Sequence, residues 1–334
     1  MASSDAARFV WQKKGRIFCP DGRHPWMMSH AQNPCALLLE DRIRVYFTCR
    51  PKPDAKGLFS SLTTFVEIDH DAPLNVLRVN DYPLLELGRL GAFDQFGCMP
   101  GTVLRVGDEI WMYYVGWMRC EGAPYSHAIG LAISRDGGVT FKRYAEGPVI
   151  ARAPSEPFLQ NSPFVTMIDG TFHMWYSSGI RWLIDQGRPE SVYVLMHATS
   201  RDGINWVRDG IPMIESLTEN ECQTNPSILK HNSRYHMWFC YRAGTDFRNS
   251  SRGYRIGYAI SDDTTAWTRK DEMSVLEPSP SGWDSEMVCY PNVFPKGDEL
   301  WMLYSGNHFG RDGFGLAVSP RSQDPKQLRS VSDG

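Results

Sequence analysis

The sequence predicts an all-β chain folded as a five-bladed β-propeller of four-stranded antiparallel blades. Three observations predict it: a unit of about 64 residues recurs five times, each unit carries the same turn and strand marks, and no long 3.6-residue apolar periodicity competes. The first strand of each unit holds a proline. Pro34, Pro100, Pro163, Pro226 and Pro291 step by 66, 63, 63 and 65 residues. A turn follows, then an aromatic strand: Val45-Tyr46-Phe47, Met112-Tyr113-Tyr114, Met174-Trp175-Tyr176, Met237-Trp238-Phe239 and Met302-Leu303-Tyr304. The third strand ends in serine and runs into a second turn. Ser134-Arg135-Asp136-Gly137 leads to Phe141, Ser200-Arg201-Asp202-Gly203 to Trp206, and Ser261-Asp262-Asp263 to Trp267, while Ser319 ends a truncated fifth copy. Asp-Gly between β-rich runs is a tight turn, because glycine reaches positive φ without steric cost. A fourth strand after that turn completes each unit, and such units repeated around an axis make a propeller.

The chain then reads as one domain over 1–334, with blades at about 25–85, 86–152, 153–215, 216–277 and 278–334. Either residues 8–19 or the tail after 320 supplies the terminal strand that closes the ring. The aromatic and Met positions read as packing between blades.

Lys+Arg is 35 and Asp+Glu is 38, a formal net charge of −3 over 334 residues. That balance excludes the basic footprint of a nucleic-acid binder. No apolar run approaches the roughly 18 residues of a membrane span, and the N-terminus lacks a charged region followed by an apolar one. Eight cysteines are spread singly, which fits a reduced compartment better than a disulfide framework. The expectation is a soluble cytoplasmic protein without membrane or nucleic-acid partners; its oligomeric state is not legible.

Five such units, the Gly-Leu-Ala-x-Ser-x-Asp-Gly turns and the Met-Trp-Tyr strands resemble the five-bladed propeller glycoside hydrolases. These include the arabinanase/xylosidase, invertase/levansucrase and mannoside phosphorylase groups. The resemblance covers roughly residues 25–319. It implies a central funnel lined by the innermost strands, with three carboxylates from different blades serving as base or nucleophile, as pKa modulator and as general acid. It also implies a carbohydrate substrate. One departure stands out: the family commonly has Asp immediately before the inner-strand proline. Here those positions are Asn33, Met99, Ser162, Asn225 and Tyr290, and none of them can take up a proton as a carboxylate does.

Carboxylates displaced along the strands are therefore the candidates. Side chains alternate on a strand, so the residue five before each proline should face as the residue one before it does. Glu221 and Glu286 hold that position in blades 4 and 5, with His30, Asp94, Glu156 and Asp284 beside it in register. Glu221 is expected to be the general acid, matching the family's blade-four glutamate approximately, with Glu286 or Asp94 as second carboxylate. Glycosidases use two carboxyls, about 5–5.5 Å apart when retaining and about 6.5–9.5 Å when inverting. Expected substrate contacts are His30, Asn33, Asn161 and Asn225 on the inner strands, and Arg50, Trp117, Arg181, Arg242 and His308 where the second strands end. Several arginines at one mouth favour an anionic sugar.

Cleavage of a small, anionic sugar is the first functional expectation. A glycoside phosphorylase or other glycosyl-transferring enzyme is the second, and a sugar-binding propeller without catalysis is the third. No cofactor is expected. A zinc site from Cys98, Cys222 and Cys289 with His30 or His308 is a minor alternative, since their offsets before the proline are uneven and free cysteine is usually a small buried hydrophobe.

Overall fold

Each repeat folds into one four-stranded antiparallel sheet, and five such sheets form the propeller. The computed structural model describes residues 8–248 and 251–321. Blade 1 comprises Ser29–Leu38, Arg42–Arg50, Leu62–Asp69 and Val76–Val79; blade 2 comprises Gly97–Val106, Glu109–Arg119, Tyr125–Ser134 and Lys142–Arg143. Blade 3 is Gln160–Ile168, Thr171–Asp185, Arg188–Ser200 and Val207–Arg208; blade 4 is Cys222–His231, Arg234–Arg242, Arg255–Ser261 and Thr268–Arg269. Blade 5 takes Cys289–Lys296, Glu299–Ser305 and Phe314–Pro320 from the end of the chain, and its fourth strand is Gln12–Phe18. The N-terminal segment thus closes the ring; residues after 321 lie outside the described chain.

Closure is fastened at two depths. Gln12–Phe18 pairs antiparallel with Phe314–Pro320, and Phe9–Val10 pairs parallel with Ser274–Val275 at the edge of blade 4. Phe9 is buried among His236, Trp238, Tyr258 and Trp11. The Trp11 and Trp238 indoles both donate to Ser274 Oγ, at 2.8 and 2.7 Å.

The core is divided among the blade interfaces. Tyr46, Phe65, Met112 and Tyr114 pack between blades 1 and 2; Trp175, Leu195, Met237 and Phe239 pack between blades 3 and 4. Each fully buried aromatic removes enough apolar surface from water to contribute about 1.5–3 kcal/mol. The Ser-Asp turns join neighbouring blades. In blade 2, Asp136 accepts from Thr140 Oγ1 at 2.6 Å and from the Val139 amide at 3.0 Å. The Tyr46 hydroxyl of blade 1 then donates to Gly138 O at 2.8 Å, and Tyr113 of blade 2 repeats the contact on Gly203 O of blade 3 at 2.7 Å. Gly203, at φ +72°, tolerates no Cβ, which would sit 2.7 Å from that hydroxyl.

One local feature sets the site's geometry. Every inner strand breaks register with its neighbour at its proline, or in blade 2 at Gly101 just after it. The residue before proline is left-handed in four blades: Asn33 (φ 52°), Ser162 (50°), Asn225 (49°) and Tyr290 (58°). Proline excludes the ordinary helical well for its predecessor, and asparagine tolerates the left-handed one better than most residues. These bulges turn the pre-proline side chains onto the axis and interrupt the strict alternation on which the candidate carboxylates were ranked.

Candidate active site at the axial mouth

The inner strands all begin at one pole, where the second strands end. Ser29 is paired with Arg50, Gly97 with Trp117, Cys222 with Arg242 and Cys289 with Ser305. Just inside this mouth a small axial cavity is lined by one residue or more from every blade, including Asn33, Gly101, Ser162, Asn225 and Tyr290. Its polar lining is a hydrogen-bonded ring of amides and hydroxyls. Ser162 Oγ donates to Asn225 Oδ1 at 3.0 Å, Asn225 Nδ2 donates to Asn33 Oδ1 at 3.4 Å, and Thr224 Oγ1 lies 2.9 Å from Ser162 Oγ and 3.3 Å from Asn161 Oδ1. Asn33, Asn161 and Asn225, expected as sugar contacts, therefore share one network in which no member is a carboxylate.

The three candidate carboxylates separate. Asp94 is buried, accepts from Arg143 Nε at 2.7 Å and receives the Tyr114 hydroxyl at 2.9 Å. Blade 3 repeats the arrangement: Glu156 receives the Tyr176 hydroxyl at 2.9 Å, with Arg208 Nη1 at 3.5 Å. In blade 5, Asp284 receives the Tyr304 hydroxyl at 2.9 Å and Lys13 Nζ at 2.6 Å. Glu221 belongs to the same set. Its Oε1 accepts from Arg269 Nη1 at 2.6 Å and Gln223 Nε2 at 3.0 Å, and its side chain is 3% exposed. In all four blades the cation comes from the outermost strand, so a buried ion pair ties the segment before the inner strand to the rim of its own blade.

This geometry corrects the equivalence drawn between Glu221 and Glu286. Glu221 and Asp94 are neutralised toward the outer strands, whereas Glu286 is exposed and stands at the mouth. A spacing in the sequence carries the distinction: Asp94, Glu156 and Asp284 each precede by 20 residues the tyrosine whose hydroxyl they accept. Glu286 has no such tyrosine. Its amide donates to Asn307 Oδ1 at 2.8 Å, and its Oε2 lies 3.7 Å from His308 Nε2. His308 and Phe309 are consecutive left-handed non-glycine residues, at φ 53° and 60°. Backbone strain of this kind persists only where the surroundings over-determine it, and it holds the imidazole beside Glu286.

The cationic residues also part company. Arg242 is buried in a box of rings, 3.6 Å from the Phe247 centroid and 5.2 Å from Tyr193, and donates to Ser191 O and Ala243 O. Tyr193 and Tyr254 share a hydrogen bond beside it, and burial raises both phenols well above the ordinary tyrosine value. Arg248 is held by both oxygens of Glu190, at 2.9 and 3.0 Å. Arg181 is exposed on the long hairpin of blade 3, whose Trp182 packs edge-on to Tyr125 at 5.2 Å. Trp117 fills the space over Gly97, where an added Cβ would come within 1.4 Å of Nε1, and its buried indole nitrogen has no hydrogen-bond partner among the described residues.

Arg50 and His30 complete the mouth. His30 is buried, accepts from or donates to Ser29 Oγ at 2.8 Å, and is pushed down to about 3 by burial and then by the Arg50 and Arg311 charges. Arg50 lies 5.3 Å from the Phe59 ring, and its buried Nε has no partner among the described residues.

The cysteines of the zinc alternative do not converge. Cys98 Sγ faces Asp94 and Arg143, while Cys222 donates to Ser191 O and Cys289 to Ser305 O. All eight cysteines are free, and among the described residues no group of three or more His, Cys, Asp or Glu could hold a metal ion. No described helix is long and apolar enough to cross a membrane.

The chain matches no protein-family profile. It is 36% identical over 311 residues to uncharacterized proteins of two Mycobacterium tuberculosis strains, CDC 1551 / Oshkosh and H37Rv, spanning 92% of this chain and 99% of theirs. It is 29% identical over 181 residues to a 1,2-beta-oligomannan phosphorylase of Thermoanaerobacter, covering 54% of this chain and 52% of that protein. Among solved structures it is similar to one from the GH130 family of mannoside phosphorylases, with TM-score 0.70, 17% identity and coverage of 97% of this chain and 96% of that one. It is equally similar to a glycoside hydrolase, with TM-score 0.70, 16% identity and coverage of 95% and 93%. A thermostable family-43 glycoside hydrolase follows at TM-score 0.63 and 16% identity, with coverage of 88% and 89%.

Proposed function

We infer, for a chain that belongs to the family of these two mycobacterial proteins and has the five-bladed fold of the propeller glycoside hydrolases, that it is a carbohydrate-active enzyme working at the axial mouth. Glu286 is its acid/base carboxyl, with His308 beside it. The observation that carries this reading is the contrast among the three sequence candidates. Asp94 and Glu221 are buried in ion pairs, and Glu286 alone keeps an exposed carboxylate within reach of an imidazole, 3.7 Å away. A positioned carboxyl group moving a proton at a glycosidic oxygen contributes about 10²–10⁴-fold. The amide and hydroxyl ring beneath offers donors and acceptors to sugar hydroxyls without bringing a second negative charge.

A specific observation favours a phosphorolytic variant of the same reading. Hydrolysis uses two carboxyls, one of them to activate water or to attack. Phosphate attacks without such help and needs only the proton donor. The axis presents asparagine, serine and tyrosine where the second carboxylate would stand, and the partial relative from Thermoanaerobacter carries the name of a phosphorylase.

Turnover on aryl glycosides and on β-1,2-linked mannobiose, with and without phosphate, tests both forms. The Glu286→Gln variant is expected to lose at least about a hundredfold in kcat while unfolding at the wild-type temperature. Equal turnover in Glu286→Gln sinks the assignment. Release of sugar that rises with phosphate and yields a sugar phosphate selects phosphorolysis.

A further inference from the structure

We propose that Arg50 is the seat of a carboxylate carried by the sugar itself, so that the substrate is an acidic sugar of the uronic type. This deepens the reading above and rests on a sugar entering the axial mouth.

The observation is a cation without a counter-charge. Arg50 ends the second strand of blade 1 and sits at the mouth beside Tyr290, His30 and Arg248. Among the described residues its guanidinium makes no hydrogen bond and no ion pair, and its one aromatic contact is Phe59 at 5.3 Å. Of the other arginines at this pole, Arg248 is engaged by Glu190 at 2.9 Å, Arg119 by Asp54 at 2.7 Å, and Arg242 by its ring box and two carbonyls, while Arg181 stands exposed on the blade 3 hairpin. An arginine kept partly buried with an orphaned Nε is costly to the fold unless something pairs with it in the working state. Burial holds its pKa below the ordinary guanidinium value, and the group remains charged.

The local charge count selects the kind of anion. Arg248 is neutralised by Glu190, Arg311 lies 3.6 Å from Asp312, and His30 stays neutral, so Arg50 is the cation here without a carboxylate of its own. One guanidinium fork matches one planar carboxylate, two parallel N–H donors to two oxygens. A phosphate dianion at Arg50 would leave one of its two charges unmatched by that single fork. Seating the acid group at Arg50, between blades 1 and 5, would orient the sugar ring over the amide ring and toward Glu286.

Binding is measured by calorimetry, without turnover, so its outcome is independent of whether Glu286 catalyses anything. The ligands are glucuronate, galacturonate and mannuronate, each beside its neutral parent sugar, and inorganic phosphate alone. The proteins are the wild type, Arg50→Met and Arg50→Lys. At least one uronate is expected to bind about ten- to a hundredfold more tightly than its parent, the range of hydrogen bonds to a charged group. Arg50→Met should erase that preference and Arg50→Lys should keep part of it. Thermal unfolding accompanies each titration: loss of an unpaired cation should leave Arg50→Met as stable as the wild type, or more so. The proposal is overturned if every uronate binds no better than its parent. It is equally overturned if phosphate alone binds in an Arg50-dependent way without a uronate preference, which would give the seat to free phosphate. A destabilised Arg50→Met that keeps the wild-type uronate preference would assign Arg50 to the fold instead.

Discussion

Replacing Glu221 with Gln separates a structural carboxylate from a catalytic one. The substitution keeps the side chain's shape and removes its charge, so it breaks the 2.6 Å pair with Arg269 and leaves that guanidinium with Asp271 at 2.8 Å. Orphaning one member of a buried pair costs about 3–5 kcal/mol. Arg269 keeps a second carboxylate and its stacking on Tyr241 at 4.6 Å, so the cost should fall to about 2–3 kcal/mol, the scale of a hydrogen bond between charged groups. With an unfolding entropy of about 2.1 cal/mol/K per residue, the 334-residue chain carries about 0.7 kcal/mol/K. The expected drop in Tm is therefore about 3–4 °C. Differential scanning calorimetry reads it, and turnover measured well below both transitions should stay within about twofold of wild type. An unchanged Tm with turnover reduced a hundredfold would refute the structural role and return Glu221 to the chemistry.

Other perturbations have outcomes as definite. Lys13→Met strips Asp284 of its cation and should lower stability by about 3 kcal/mol, read as a shifted urea midpoint, because the carboxylate stays buried on Tyr304 alone; a neutral result would mean that the pair does not help close the ring. Glu156→Gln should behave like Glu221→Gln, losing Tm and keeping turnover, since its tyrosine and arginine repeat the pattern. Burial lowers His127 and His197 to about 4 in the folded chain, against about 6.5 unfolded, so unfolding takes up protons between those values. Stability should accordingly fall as pH drops from about 6.5 toward 4, and His127→Gln with His197→Gln should flatten that slope in urea titrations. Identical slopes would show that the two imidazoles are not held neutral.

The fold was legible because a repeat constrains one-dimensional spacing directly. Five prolines at 63–66-residue steps and four Met-aromatic strands cannot be placed in any other β architecture without breaking their equivalence. Which terminus closed the ring was not legible, because Gln12–Phe18 lacks the marks of the repeat: it reads Gln-Lys-Lys-Gly-Arg-Ile-Phe, with no clean alternation, and takes its register from Phe314–Pro320. The site was read less well, and for a definite reason. Period-two alternation holds only along a paired strand: blade 4 is paired back to Cys222, next to Glu221, whereas blade 5 pairs only from Cys289, three residues after Glu286, so equal offsets do not give equal facings. The recurring 20-residue step from carboxylate to tyrosine is the feature of the sequence that could have marked Asp94, Glu156 and Asp284 as blade ties. Nothing in the order of residues marked Arg50 as unpaired; that depends on what every other charged group at the mouth has already engaged.

The borrowed strand also sets a timetable for synthesis. Gln12–Phe18 is made before every other blade strand, yet its partner Phe314–Pro320 emerges about 300 residues later. At about 5–20 residues per second, that is a wait of roughly 15–60 s. Blades 1 to 4 are complete in themselves and can form in order as they appear, while the earliest-made segment remains a loose end. Until it docks, blade 5 has a bare edge and Asp284 has no lysine beside it, so the seam between Gln12–Phe18 and Phe314–Pro320 is the last part of the ring to be covered.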